Sequence, residues 1–461
     1  MSDIILTHGF FLDEDPKEQE IMRPYPPLGL LYISAFLKTR GFRPLLFDST
    51  FKTRSQFEEL LKVHQGGVIG LYTTHMTRSS IVRQMRSARE NGFRVIAGGP
   101  DSGAYPEQYL EHGADLVVIG EGEAALAEIL PIIKDSRFNH ELLATIKGLV
   151  FRDKKGDIIR TKGRELLDLG IIPWPDREAI DLDRYLAAWK NSHDENSVNM
   201  ITSRGCRYFC RWCSHSVFGS SERRRSYIDC ADEVQWIIER YNPDQIWYAD
   251  DVFTMDHNWL FSYSNELNLR GINIPFETIS RADRLQEEAI VAELASMGCR
   301  RIWIGSESGS DRVLRAMGRG VTAAQVMKAV NLCRNYGIET GMFLMWGYEG
   351  ETPDDIALTV DHVKRCKPDI FFTTLVHPIG GTKYYQDIKH KLIFPENWED
   401  SSDKDLGVRG RKSAHYYKAA DRWLKNAVKS DQFKDNQPDE ASRYAALAEE
   451  AEREVRVLWD E

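Results

Sequence analysis

The chain has 461 residues and a formal net charge of −10, with 42% hydrophobic and 11% aromatic residues. This length asks for two or three domains with sizeable cores, and the acidic balance excludes broad nucleic-acid binding, which needs a basic footprint. No apolar run approaches the ~18 residues of a membrane span. The opening MSDIILTHGFFLDED lacks a basic stretch and turns acidic at once, so it does not read as a signal peptide. Seven cysteines are an odd number, and three of them are clustered. A disulfide framework belongs to small, cysteine-dense secreted chains, so a reducing, cytoplasmic setting is expected. The scattered Cys230, Cys299, Cys333 and Cys366 read as buried thiols.

Through residues 1–143, short apolar runs alternate with amphipathic segments. Strands are expected at Ile4–Leu6, Arg43–Phe47, Val68–Tyr72, Arg94–Ala97 and Leu116–Ile119, with helices at Leu30–Thr39, Gln56–Val63 and Ser79–Glu90. Repeated βα units imply an α/β fold with a Rossmann-like, doubly wound parallel sheet. In such sheets ligands bind beyond the carboxyl ends of the strands. The loops there are Tyr72-Thr73-Thr74-His75, Gly98-Gly99-Pro100-Asp101 and Gly120-Glu121-Gly122-Glu123. Their glycines let the backbone approach a bulky ligand. No G-x-G-x-x-G follows the first strand, which disfavours a dinucleotide. His75 is either a metal ligand or, as lone loop histidines usually are, solvated or hydrogen-bonded.

Residues 144–197 read as a connector. Gly148–Thr161 carries a hairpin signal around Lys154-Lys155-Gly156-Asp157, and Ile172-Pro173-Trp174-Pro175-Asp176 is extended and proline-punctuated. From 198 to 395 the βα alternation resumes. The strands are Ile201–Ser203, Gln245–Ala249, Phe276–Ser280, Arg301–Ile304, Gly341–Met345 and Ile370–Val376. Six such strands form a partial (β/α)6 or a full parallel barrel, whose active site lies at the carboxyl ends. Polar residues gather at those ends: Asp250 and Asp251, Arg281, and Glu307 with Ser308. Residues 396–461 form a helical tail, with aromatics at helical spacing over Ser413–Val428 and a charged amphipathic helix over Glu440–Leu458. Arg409, Arg411, Lys412 and the Arg223–Arg225 run either meet an anionic substrate or are solvated basic surface.

The first barrel strand leads into Arg204–Cys213, RGCRYFCRWC, with Cys206, Cys210 and Cys213 spaced C-x3-C-x2-C. Three thiolates in one aperiodic loop suit a soft metal centre. Structural zinc closes with four ligands, and Cys230 and His215 are the available fourth donors. An iron–sulfur cluster with three thiolates leaves one iron open. Spacing alone leaves both readings standing.

This loop, with Trp212 before its last cysteine and a βα barrel behind it, closely resembles that of the radical S-adenosylmethionine (SAM) enzymes. The preceding domain resembles the cobalamin-binding domain of their cobalamin-dependent class, on Pro26-Pro27-Leu28-Gly29-Leu30, Gly98-Gly99-Pro100 and Gly120-Glu121-Gly122-Glu123. Asp250-Asp251-Val252-Phe253, Gly305–Ser310, Gly347–Thr352 and Gly380-Gly381-Thr382 match that class as well. The resemblance covers about residues 3–395. It implies that Cys206, Cys210 and Cys213 ligate a [4Fe–4S] cluster whose open iron takes SAM. Reductive cleavage of SAM would then give a 5′-deoxyadenosyl radical. Trp212 would lie near the adenine, and Arg281, Glu307 and Ser308 near the methionine and ribose parts, unless they form salt-bridged strand ends. Asp250 and Asp251 would contact ribose or substrate, or cap the next helix. Thr73, Gly98, Gly99, Gly120, Glu121 and Gly122 would border cobalamin. The implied partners are a small-molecule substrate and an external flavodoxin- or ferredoxin-like electron donor, with neither nucleic acid nor membrane. The implied reaction is methylation of an unactivated carbon, against a ring-forming or rearranging alternative and, further off, a cofactor-binding sensor.

Three features depart from the class. No D-x-H-x-x-G follows the first strand, so a histidine ligand to cobalt is not expected. Glu349 stands where many relatives carry proline, and Asp101 replaces the commonest histidine after Gly-Gly-Pro.

Overall fold

The computed structural model describes residues 2–133, 139–214 and 217–460. His215, one of the two fourth donors considered above, lies outside them. The first sheet contains β1 (Ile4–His8), β2 (Pro44–Phe47), β3 (Val68–Tyr72), β4 (Arg94–Gly98) and β5 (Leu116–Val118), followed by β6 (Leu149–Arg152) and β7 (Ile158–Arg160). Its order is β2-β1-β3-β4-β5-β6-β7, parallel through β5 and antiparallel beyond. The hairpin placed in the 144–197 connector therefore continues this sheet. It pairs there because β5 is only three residues long and its apolar edge, facing Leu149–Phe151, would otherwise be left unpaired. The order reverses at β1, so a crevice opens between the carboxyl ends of β1 and β3.

The second sheet is all parallel, in the order β15-β14-β13-β12-β11-β8. It comprises β8 (Ser197–Met200), then β11 (Gln245–Tyr248), β12 (Phe276–Ser280), β13 (Cys299–Glu307), β14 (Glu339–Trp346) and β15 (Ile370–Leu375). Edge strands β8 and β15 do not pair, so the barrel is partial. Between β8 and β11 lie two short strands, β9 (Ser203–Arg204) and β10 (Arg223–Arg224), paired with each other in antiparallel fashion.

The strand expected at Ile201–Ser203 is thus displaced: β8 ends at Met200. The cause is Asp250, whose buried carboxylate accepts from the Thr202 amide at 2.6 Å and from the Ser203 amide at 3.3 Å and hydroxyl at 3.0 Å. Those donors leave the ladder, and the chain bends into the cysteine loop. Asp250 organises this bend rather than facing a ligand. Conversely, β13 runs three residues past its expected end, to Glu307, with a register shift between Gly305 and Glu307. Glu307 takes a left-handed φ of 60°, at a strand end, whereas the other described non-glycine residues at positive φ, Met22, Asp194, Asn242 and Lys367, cap the C-termini of helices.

The tail forms two long helices, Ala414–Phe433 and Pro438–Asp460. Tyr416, Trp423 and Leu424 join the barrel core beside the helix Pro353–Cys366. Arg411 donates to the Tyr384 hydroxyl at 3.0 Å, tying the tail to the helix Lys383–Ile388, and Lys412 to the Trp459 carbonyl within the tail, so both are spent on the protein rather than on an anion. Behind Tyr416, in the loop after β14, Glu351 is buried and accepts from the Gly347 amide at 2.7 Å. Burial raises its carboxyl from 4.5 to about 8. The native state then holds a proton that the unfolded chain releases, so stability falls as pH rises across that window. E351Q is expected to lose this dependence. Its stability relative to wild type grows by roughly 1.4 kcal/mol per pH unit across the window, read by denaturant titration.

Candidate functional site

Two cavities open at the carboxyl ends of the two sheets. The first, about 340 Å³, lies in the crevice of the first sheet and is mostly apolar. Leu6, Tyr72 and Val118 come from strand ends, and Pro26, Leu28, Gly29 and Leu30 from the start of the helix Leu28–Thr39. Gly98, Gly99, Gly120 and Gly122 form its glycine walls, and among the described residues none of those lining it is histidine. At Gly99, φ is 116° and a Cβ would stand 2.5 Å from the Thr73 carbonyl oxygen, so only glycine fits. Thr73 does not line this cavity. It is fully buried, and its hydroxyl donates to Ser102 Oγ at 2.9 Å, holding the turn behind Gly99.

The barrel closes this cavity from the other side with Asn199, Ile201, Arg204, Val217 and Phe218. Arg204 lies over the rings of Tyr32 and Phe218. Its guanidinium pairs with Glu121 at 2.9 Å and Glu123 at 2.7 Å, with all three side chains 2–4% exposed. Arg223 adds a second pair to Glu121 at 2.9 Å. Glu121, expected to border a ligand, therefore spends its carboxylate on two arginines, which hold it below the ordinary range despite burial. The rest of the Arg223–Arg225 run is equally internal. Arg224 pairs with Glu222, and Arg225 with Asp229 and the fully buried Glu233. Arg223 joins the domains through Glu121 and Arg225 also reaches the Tyr32 hydroxyl at 3.4 Å, whereas Arg224 pairs within the barrel; all three are spent on protein groups rather than on an anion.

The second cavity, about 330 Å³, is walled by Cys206, Cys210, Trp212 and Cys213, and by Asp251, Arg281, Gly305, Glu307 and Arg319. The loop is set by Gly205, whose φ is 83° and where a Cβ would overlap the Ser221 and Phe218 carbonyls. Arg281 stacks on Tyr208 with its guanidinium 3.5 Å from the ring centre. Arg281 and Arg319 each place a nitrogen 3.7 Å from Cys210 Sγ. Burial, followed by the neighbouring thiols and acids, pushes Cys213 up to about 12, and burial also raises Cys206. Such thiols ionise only against a compensating positive charge, which bound iron provides.

Among the described residues, no three ligand side chains converge tightly enough for a single metal ion. A cubane asks for a wider triangle with one thiolate per iron, and hydrogen bonds to its sulfurs are part of its setting. The three thiols on one wall and the two guanidiniums on Cys210 fit that group. Cys230, the other fourth donor considered, is fully buried in the barrel core and does not reach the cavity.

Glu307 is 2% exposed, and one carboxylate oxygen has no hydrogen-bond partner. Burial raises it to about 7 against the opposing pull of Arg319 and Arg281. Arg319 pairs with the other Glu307 oxygen at 3.5 Å; the buried oxygen left without a hydrogen bond calls for a donor, and the amino group of SAM fits that need. Ser308 does not face this cavity. It is fully buried and meets Thr359 Oγ1 at 3.2 Å, fastening the loop after β13 to the helix Pro353–Cys366. Arg319 was not anticipated from sequence. Its signal was an arginine between Gly318 and Gly320, both at left-handed φ near 65°.

Comparison with known proteins matches residues 20–130 to the B12 binding domain and residues 200–363 to the radical SAM superfamily. An uncharacterized methyltransferase of Pyrococcus horikoshii is 27% identical over 401 residues, covering 83% of this chain and 84% of that protein. The anaerobic magnesium-protoporphyrin IX monomethyl ester cyclase of Rubrivivax gelatinosus is 21% identical, covering 81% and 68%. The structure of the cobalamin-dependent SAM radical enzyme OxsB, with aqua-cobalamin and SAM bound, superposes with a TM-score of 0.74. It shares 18% identity and covers 98% of this chain and 71% of its own. The barrel and its three-thiol loop thus make this chain a radical SAM enzyme. With the B12-binding sheet in the same polypeptide, it belongs to the cobalamin-dependent class, whose cofactors are a [4Fe–4S] cluster, SAM and cobalamin.

Proposed function

We propose that the enzyme methylates an unactivated carbon of a small-molecule substrate held between its two domains. The supporting observation is a third cavity, about 390 Å³, lined by Trp212, Cys213 and Ser214 on one side and by Pro100 and Asp101 on the other. The first three border the cluster cavity, and the last two directly follow the Gly98-Gly99 wall of the B12 cavity. A substrate there is within reach of both.

In this reading Cys206, Cys210 and Cys213 hold the cluster. Glu307 receives the amino group of SAM, Arg281 and Arg319 its carboxylate, and Trp212 and Asp251 its nucleoside. When bound, the cluster supplies the electron that cleaves SAM to methionine and a 5′-deoxyadenosyl radical. The protein's part is to hold the reactants in register and keep water out. Gly98, Gly99, Gly120 and Gly122 give cobalamin its flat seat, and Arg204 locks that seat to the cysteine loop. Each turnover consumes two SAM molecules. One gives up its methyl group and leaves as S-adenosylhomocysteine; the other takes the substrate hydrogen and leaves as methionine and 5′-deoxyadenosine.

The two electrons that balance this turnover, one for SAM cleavage and one to restore the methyl carrier, would come from an external flavodoxin- or ferredoxin-like protein in the cytoplasm. Phe209, 71% exposed on the cysteine loop, marks its approach. The similarity to a ring-forming cyclase favours one second reading, cyclisation without methyl gain. Mass spectrometry separates them: methylation gives S-adenosylhomocysteine and a product heavier by one methylene unit, whereas cyclisation gives 5′-deoxyadenosine with no such gain.

A further inference from the structure

We propose that the cavity between the two cofactor sites is a receptor for an apolar skeleton carrying one anionic group, a carboxylate or a phosphate-like headgroup. This rests on that cavity being the substrate site of the proposed reaction. Its walls are mainly carbon: Pro100, Ala104, Met345, Val376 and Ile379, with the face of Trp212. Against this surface stand four nitrogen groups from four separate segments. They are His75 after β3, Trp212 in the cysteine loop, His377 after β15 and Lys404 in the tail.

Each carboxylate oxygen of the two acids in the cavity already accepts a hydrogen bond. Asp101 takes Arg78 Nε at 2.9 Å and Nη2 at 2.7 Å, and the Tyr109 hydroxyl at 2.6 Å. Asp403 takes Arg78 Nη2 and the Gly380 amide, each at 2.7 Å. This buried triad carries one net negative charge, and the exposed Lys404 adds a cation to the lining. The nitrogen groups are differently placed. Trp212 Nε1 and His75 Nδ1 are buried and have no hydrogen-bond partner. Burial lowers His75, and lowers His377 to about 4, with Lys404 adding to the shift. Burial thus favours the neutral form of both rings, in which one ring nitrogen carries an N–H. A buried donor left unpaired is costly. A guest rich in acceptor oxygens relieves that cost, and its negative charge makes each of these bonds charge-assisted.

The test is equilibrium binding to the anaerobically reconstituted holoenzyme, with SAM and cobalamin loaded, by titration calorimetry. The probes are phenylacetate, phenylphosphonate and the neutral phenylacetamide. At least one anion is expected to bind about tenfold or more tightly than the amide, and the better of the two identifies the headgroup. K404M and H377A are each expected to reduce that preference severalfold while SAM and cobalamin content stay unchanged. Lys404 is exposed, so K404M tests the site without disturbing the core. Equal affinity for anion and amide, or no binding by any probe while SAM and cobalamin remain bound, would overturn the proposal. Binding is read without turnover, so a failure of SAM cleavage would fault the functional reading and leave this result standing.

Discussion

Replacing Cys206, Cys210 or Cys213 singly with alanine is expected to abolish cluster assembly and bring 5′-deoxyadenosine formation to background. The loss should exceed the about 10–100-fold that follows from disturbing a group behind a metal ligand, because each cysteine is one of the three thiols on the cavity wall. The natural control is Cys230, Cys299, Cys333 and Cys366, all buried away from that wall. Conservative changes there, such as C333A, are expected to leave the cluster's iron and sulfide content intact. Iron and acid-labile sulfide analysis after anaerobic reconstitution gives the answer directly. Full cluster content in C206A, C210A or C213A would contradict the assignment.

The second large effect is expected at the domain junction. R204M removes the guanidinium shared by Glu121 and Glu123 and leaves two buried carboxylates behind. Breaking a buried pair in this way costs about 3–5 kcal/mol. The lower end applies because Arg223 still holds Glu121. Arg204 also lines the B12 cavity and stacks on two of its aromatic walls, so cobalamin content should fall as well. Denaturant unfolding and cobalamin absorbance on the same preparation measure both. A stability change under about 1 kcal/mol would mean that the junction is held elsewhere.

Much of this architecture was legible because it is written in local patterns. Buried parallel strands appear as short apolar runs, and Val68–Tyr72 and Phe276–Ser280 were expected with the bounds they have. The cysteine loop and the glycine-rich strand ends carry their chemistry in consecutive residues. The misplacements share one cause: side chains taken as facing a ligand are spent on backbone and on partners far away in sequence. Asp250 ends β8 by capturing the Thr202 and Ser203 amides, Thr73 and Ser308 fasten turns, and Arg223–Arg225 bind acids 2 to 102 residues away. None of these pairings leaves a periodicity to read. The cavity between the two cofactor sites is the extreme case. His75, Trp212, His377 and Lys404 come from four elements, and only the packing of the tail against both domains brings them together.

The central claim is that the three-thiol loop directs an electron into SAM. Its most direct test is anaerobic incubation of the cluster- and cobalamin-loaded protein with SAM and dithionite, followed by chromatographic measurement of 5′-deoxyadenosine. Time-dependent 5′-deoxyadenosine that is absent from the C213A variant is the predicted result. A protein carrying a complete cluster and bound SAM that yields none under reduction would contradict it.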